Sequence, residues 1–444
     1  VADSFQKLSV LTAVLKDAWA TIQDATATDE NIVALKLVKE NMDGGVDNSG
    51  KAAKVWVPFK TKINRQAGPV AEGAARKDAG YGTYQRAYFE TGVQDGVFGI
   101  DQNTVEMVHK GDDAAVDMLD AEMVDVKLAI NKELAQQLHV DGTGAYGYMP
   151  AADNAAAFTV VAPFYGEVGD IINIIDWGDA STTHITNDDA ITAISDPTWN
   201  SGLPTVDVTI TDSPSSTGTN DYVVRSTQAD GTGADESKTF NKDTWVGLGA
   251  MVDDGNPKSG NYGSLDRTSA SYKLWQAQVS KGNTSSSFPY INTTYFRPLS
   301  KGLMESLYTV QKRKGGKLDL IICSDAMVQE YLAMESMTIN RTPAMVKSVD
   351  LGMEGPEFHG KPLIGDPYCL PCRMYFLDKS AIGKKTIWPI GPFPDADRML
   401  QPDLSKSYAY TAAFNTRGQF VSGSPWKNGL LADIMEGYHT RING

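Results

Sequence analysis

The chain has little of what most enzyme and secretion signatures need. Three cysteines in 444 residues, an odd and small number, exclude a disulfide framework and fit a reducing compartment. No run of eighteen apolar residues occurs, which excludes a helical membrane span, and the opening VADSFQKLSV lacks the charged-then-apolar pattern of a secretory signal. Basic charge is scarce: Lys and Arg number 40 against 55 Asp and Glu, for a net charge of −15. That argues against a general nucleic-acid binder, which would carry a basic face. GxSxG, HExxH and Walker-lysine motifs are also missing. No catalytic, cofactor or metal residue is therefore expected.

What is present is length, periodicity and unevenly placed charge. The length allows two to four domains with a real core. The clearest period lies in DDAAVDMLDAEMVDVKLAINKELAQQLHVDGTGAYG (112–147). Val116, Leu119, Met123, Val126, Ile130, Leu134 and Leu138 recur at three- and four-residue steps, one apolar stripe on a helix spanning about 40 Å. Asp112 or Asp113 caps its start, and Gly142 and Gly144 stop it. From Ala151 to Phe240 there are 14 acidic and 2 basic residues, a net of −12, so the rest of the chain carries only −3.

Taken in order, residues 1–54 form an N-terminal arm, with helical patterns around Leu8, Leu11, Leu15, Ile32, Leu35 and Leu37. They fit either an ordinary first helix or an extended arm. Residues 55–101 read as a long hairpin: Val55, Val57, Phe59, Thr61 and Ile63 alternate with polar neighbours, a small-residue tip fills 67–82, and an aromatic-rich return runs to Ile100. A ribbon that long is marginal in water unless it lies on a third surface, its own domain or a neighbouring copy. Up to Ile100 it carries six basic and four acidic residues, against eight acidic and two basic ones in 112–141, a contrast that suits docking.

Residues 102–154 hold the long helix. Residues 155–242 form an acidic β-rich insertion, with FTVVAPF, DIINIIDW, ITAI, TVDVTIT and DYVVRS as short strands between turn formers. Helix and strand then alternate through 243–400. SKGLMESLYTVQKRKGG is helical with Leu303, Leu307 and Val310 on one side, KLDLIICS is a buried strand, and Asp325 opens a helix. KPLIGD, RMYFLD and KTIWPI follow as strands, with SYAYTAAF and GQFVSG in the C-terminal 401–444. The fold class is α+β.

Four motifs invite chemistry. Gly142-Thr-Gly-Ala-Tyr-Gly147 matches GxGxxG but follows a helix, whereas a dinucleotide fingerprint needs strand-turn-helix order; it reads as a helix stop. Cys369 and Cys372 form a CxxC in a turn between strands. A redox pair would need a helix N-terminus and zinc two further ligands, with only His359 near in sequence. Lys312-Arg-Lys-Gly-Gly-Lys317 reads as a cationic helix end or a phosphate contact. Asp253-Asp254 lacks the spacing of a calcium loop.

The order of parts resembles the major capsid proteins of tailed bacteriophages, which share the Hong Kong 97 fold. Six collinear stretches carry the resemblance. They are the hairpin with AGPVAEGAARKDAG at its tip, the long helix ending LHVDGTGAYG, WVGLGAMVDDG with YGSLDR and LWQAQV, LDLIICSDAMVQEYL, FHGKPLIGDPYCLPCRMYFLD, and GQFVSGSPWKNGLLADI. They cover most of 40–150 and 243–435. Val140 departs from the glycine frequent at that place in the family, and 155–242 is an insertion relative to the simplest members.

The resemblance implies a spine helix, an extended loop, peripheral and axial domains, and an inserted small β-barrel-like domain. It implies a head-shell protein that self-assembles in the host cytoplasm as pentamers and hexamers, enclosing double-stranded DNA without reading its sequence. Scaffolding, portal and decoration proteins are the implied partners; cofactors and membranes are not. It further implies a hairpin lying across an adjacent subunit. Some members join a hairpin lysine to a neighbour's asparagine; Lys60, Lys62 and Lys77 lie in this hairpin without matching a motif. Facing phosphate would be unfavourable for the acidic insertion, so it is expected to project outward. An encapsulin-like nanocompartment and a redox or zinc enzyme using the CxxC are the alternatives.

Overall fold

The computed structural model describes residues 39–40, 45–47, 53–62, 83–101, 113–175, 189–200, 203–211, 213–214, 217, 221–225, 244–257, 261–282, 295–339, 345–348, 353–392, 400–402 and 409–437. The architecture is mixed α+β. The described residues divide into two compact units. One holds 92–135 and 386–418; the other holds 36–91, 136–385 and 419–444. The expected helical patterns of residues 1–38 and the hairpin tip at 67–82 lie outside the described residues.

The long helix runs from Asp113 to His139, and the division between units falls within it, after Ala135. Met123, Ile130, Leu134 and Leu138 are buried, as the apolar period requires, while Leu128 on another face is 41% exposed. In the first unit a sheet is built on the C-terminal strand Ala409–Ser422, whose first ten residues pair antiparallel with Gly92–Asp101. Phe98 stacks on Phe414 with centroids 5.6 Å apart, and Ile100 and Ala412 are buried on the same face.

Two expectations need correction here. The return of the hairpin is not one strand: Thr83–Glu90 pairs with Lys54–Lys62, but the chain leaves that ladder at Thr91 and Gly92–Asp101 joins another sheet. The Thr91 hydroxyl, donating to the Ala53 carbonyl at 2.8 Å, closes the ribbon at the break. Conversely, SYAYTAAF and GQFVSG are one 14-residue strand. Asn415, Thr416 and Arg417 stay in register with Asp95, Gln94 and Val93, so ladder pairing overrides their weak strand preference.

In the second unit all five short runs of the acidic segment are strands. A seven-stranded sheet has the order Thr198–Asn200, Leu203–Ile210, Asp189–Ile194, Ile171–Ile175, Tyr222–Arg225, Ala145–Tyr148, with Ala157–Val161 also paired to Leu203–Ile210. Ala145–Tyr148 lies upstream of 155, where composition alone starts the insertion. It is drawn in because Tyr148 and Gly147 pair with Tyr222 and Val223. Phe158, Val160, Ile172, Ile174, Val208 and Tyr222 share one apolar core.

The remaining layer is a seven-stranded mixed sheet, ordered Gln278–Ser280, Gly429–Ala432, Arg373–Leu377, Leu320–Cys323, Lys361–Gly365, Met353–Phe358, Met345–Ser348. Helices Lys301–Arg313 and Asp325–Ile339 pack on one face through Met304, Leu307, Met327 and Tyr331 against Ile321, Cys323, Phe376 and Leu431. The buried face of the first helix is Met304, Leu307 and Gln311; Val310, expected beside Leu307, is 41% exposed. Gln311 is tolerated inside because its amide donates to the Phe376 and Lys427 carbonyls at 3.3 and 2.7 Å, satisfying a group otherwise costly to bury.

Against the end of the long helix lies the short helix Leu248–Met251. A Cβ on Gly247 would fall on the carbonyl oxygens of Gln137 and Leu138, so only glycine allows this approach. Gly247→Ala is expected to cost roughly 1–3 kcal/mol or more through overpacking. Chemical denaturation of the full chain measures it, and an unchanged midpoint would contradict the close contact.

Candidate assembly surfaces

The ribbon Lys54–Lys62 with Thr83–Glu90 has two faces because side chains alternate. Outward, the Arg86 guanidinium lies 4.5 Å from the centroid of the Trp56 ring. Inward, Val55, Val57, Phe59, Ala87 and Phe89 are buried. They rest on an aromatic bed. Phe59 meets Trp275 at 4.6 Å and Trp426 at 6.1 Å, and Phe89 meets Tyr262 edge-on at 4.9 Å. Of the two surfaces open to the ribbon, the chain's own domain therefore supplies the one under its base.

The bed is fixed by polar contacts. The Trp275 indole donates to the Tyr262 carbonyl at 2.8 Å, and the Ser422 amide donates to the Tyr262 hydroxyl at 2.9 Å. Burial drives the Tyr262 hydroxyl above its ordinary pKa. Arg267, fully buried, lies 4.2 Å from the Tyr262 centroid and donates to the carbonyls of Ala250, Asp253, Gly255 and Met251 at 2.5–3.3 Å. Burial lowers its pKa to about 10, while Tyr262, Asp253 and Asp254 act the other way. Asp253 and Asp254 hold Lys281 at 3.4 and 2.7 Å; their place is in a loop clamp. Beside the ribbon's last residues opens a groove of about 380 Å³ lined by Tyr88, Glu90, Val246, Asn261 and Gln419 among others.

The end of the long helix is stitched in similar fashion. The buried His139 Nε2 lies 3.1 Å from Asp366 Oδ2. The Trp245 amide donates to Gln137 Oε1 at 3.0 Å, and Thr244 Oγ1 donates to the Gly142 carbonyl at 3.0 Å. Gly142 and Gly144 adopt φ of 83° and 73°, which stops the helix and turns GTGAYG into a strand. A nucleotide reading of that motif has no strand-turn-helix to stand on.

Cys369 and Cys372 sit in the turn between Lys361–Gly365 and Arg373–Leu377, and all three cysteines are buried and free. Burial, reinforced for Cys369 by Cys323 and Asp366 and for Cys372 by Glu436, raises both thiols well above the ordinary value. Thiolate chemistry needs the opposite shift. Among the described residues no group of three or more His, Cys, Asp or Glu could hold a metal ion. The Lys312–Lys317 stretch ends its helix, with Lys314 as C-cap and Gly315 at φ 87°. The side chains of Lys60 and Lys62, and all of Lys77, lie outside the described residues.

Sequence reasoning missed the bed and the stitches. Tyr262, Arg267 and Trp275 lie in short segments without a period, where no pattern separates a core arginine from a surface one. His139 and Asp366 are 227 residues apart. Glu436 is equally silent: it accepts from Ser324 Oγ at 2.5 Å and from the Cys372 amide at 2.9 Å.

No family model matches the sequence, and no curated protein matches it. Among solved structures, the Cyanophage A-1(L) capsid asymmetric unit is similar with a TM-score of 0.48 and 11% identity, over 87% of this chain and 90% of that one. The capsid of a native GTA particle is similar at 0.43 and 8%, over 91% and 90%. A Mycobacterium phage Bobi structure is similar at 0.40 and 8%, over 90% of each chain.

Burial raises the Glu436 pKa, its hydrogen bonds from Ser324 and Cys372 oppose this, and Glu330 adds to it. A carboxyl raised on folding is carried best when protonated, so its contribution is complete below the unfolded pKa and lost as pH rises through the folded one. Glu436→Gln, which keeps an acceptor and cannot ionise, is expected to raise the melting temperature at pH 7.5 and to change it little at pH 4. An equal difference at both pH values would refute the assignment.

Proposed function

We propose that this chain is the shell-forming subunit of a tailed-phage-type head, assembling as pentamers and hexamers into an icosahedral container for double-stranded DNA. One observation carries the reading: the collinear order of six stretches resembling the Hong Kong 97 capsid family. In the chain they fall on the ribbon Lys54–Lys62 with Thr83–Glu90, edged by Gly45–Asp47, on a 27-residue helix with a glycine stop and on a layered α/β core, and they flank the acidic β-rich insertion. The work of such a protein is self-association, so its site is a set of modest interfaces repeated by symmetry. Scaffolding, portal and decoration proteins are partners of the same reading.

Negative-stain microscopy of the expressed full chain is the direct test. Closed particles of icosahedral outline that hold nucleic acid are expected. Particles filled with protein cargo would instead point to a nanocompartment shell, and a chain that stays monomeric at high concentration would overturn the reading.

The ribbon's tip is assigned to assembly, as the resemblance to capsid proteins with an extended loop suggests. Deleting 67–82 should leave a subunit with unchanged circular dichroism that forms no closed shells; normal particles from that variant would count against the role. The acidic insertion projects to the outside, since a net of −12 against phosphate is repulsive at short range. An epitope tag placed at 230 should be bound by antibody on intact particles, and a tag reached only after disruption would contradict that orientation.

A further inference from the structure

One motif is not absorbed by the shell reading. Lys312, Arg313, Lys314 and Lys317 cluster at the end of the Lys301–Arg313 helix, and a helix end needs only one or two cations for its dipole. The fold adds others from distant sequence. The Gln311 amide donates to the Lys427 carbonyl at 2.7 Å, the Lys317 amide donates to Asp378 Oδ2 at 3.0 Å, and the Lys379 amide donates to Asp319 Oδ2 at 3.3 Å. Residues 311–319, 376–380 and 426–428 therefore meet at one corner of the α/β core, carrying Lys312, Arg313, Lys314, Lys317, Lys379 and Lys427.

The carboxylates at this corner are spent on backbone. Asp378 is buried and accepts from the amides of Lys317 and Ser380. Asp319 accepts from the Lys379 amide, and its contact with Lys317 at 3.2 Å leaves the lysine side chain 76% exposed, an exposed pair of little strength. Lys312, Arg313 and Lys314 are exposed as well. In a chain of net charge −15, a corner that gathers these cations beside one buried aspartate and one half-buried one is a local inversion.

We propose that this corner is the surface that meets the phosphate backbone of duplex DNA. Among the described residues, none of the large exposed apolar side chains falls within 312–319, 376–380 or 425–428. A contact between copies would be built around apolar anchors with charge at the rim, whereas phosphate contacts need cations alone and carry no sequence preference. Cations on separate short segments, held by backbone hydrogen bonds, present a surface broader than one helix end. The inference rests on the shell reading, since it names which face of the subunit meets the enclosed DNA.

The test uses the full chain and a Lys314→Glu/Lys317→Glu/Lys427→Glu variant, with a 30-base-pair duplex of arbitrary sequence as probe. Fluorescence anisotropy on unassembled subunits at several salt concentrations reads binding, and microscopy of the same preparations after assembly reads particle formation. The wild-type chain should bind with steep salt dependence. The variant should bind at least tenfold more weakly, with its log-log salt slope reduced by about 2–3, near 0.9 per lost phosphate contact, while particles still form. A milder Lys314→Gln/Lys317→Gln/Lys427→Gln variant gives the same reading if charge reversal prevents folding, and should weaken binding in the same direction. Equal affinity of wild type and variants overturns the proposal, as does a wild type that does not bind. A variant that keeps DNA binding but loses particles also overturns it and makes the corner a contact between copies. If the wild type binds DNA through this corner but never forms particles, the shell reading fails and the DNA surface stands.

Discussion

The last turn of the long helix is where the second unit is held together. A helix end leaves carbonyls without partners, and each must be met or exposed. Here the Val140 amide donates to the Gln137 carbonyl at 3.3 Å, and Gly247 comes so near the Gln137 and Leu138 carbonyls that no side chain fits. Gln137 in turn accepts from the Trp245 amide, and His139 reaches Asp366 in the turn that follows the central strands. Three regions of sequence around 140, 245 and 366 are thereby fixed to one point. The glycine stop at 142–144 sends the chain into the first strand of the acidic sheet, and Trp245 and Val246 lead to the short helix and the aromatic bed.

The ribbon depends on that bed for the same reason. Two long strands edged only by the three-residue strand Gly45–Asp47 need a surface for their apolar face in water. Phe59 and Phe89 find theirs on Trp275, Tyr262 and Trp426, and a fully buried side chain of this size contributes about 1.5–3 kcal/mol. Arg267 is the less obvious support. A buried guanidinium is costly unless its donors are used, and four backbone carbonyls in 250–255 receive them. One cation thus ties the end of the Leu248–Met251 helix to the loop that follows it.

Charge is sorted as firmly as apolar surface. The β-rich insertion holds most of the net negative charge, and the corner around Lys314 gathers cations beside the buried Asp378. The near-neutral remainder limits self-repulsion between copies. Burial and neighbouring acids push the Cys369 and Cys372 thiols upward, the opposite of the shift that thiolate chemistry needs.

Much of the secondary structure was legible because it rests on local periodicity. The stripe through Met123, Ile130 and Leu138 named the long helix, alternation named Lys54–Lys62, and short β-rich or apolar runs named the five strands of the insertion and the buried strand at Leu320–Cys323. Gly142 and Gly144 named the stop, since positive φ is a local demand. Partners were not legible, because periodicity says which face is buried and not against what. The return strand divides at Thr91 only because Gly92–Asp101 finds Ala409–Gly418, more than 300 residues away. Val310 is exposed and Gln311 buried because two carbonyls, of Phe376 and Lys427, stand where the helix lands. The sequence by itself determined the elements and the order of motifs. The tertiary structure decided the aromatic bed, the buried Arg267 and Glu436, and the meeting of Lys314, Lys379 and Lys427, since these are set by long-range contacts that no window of local sequence contains.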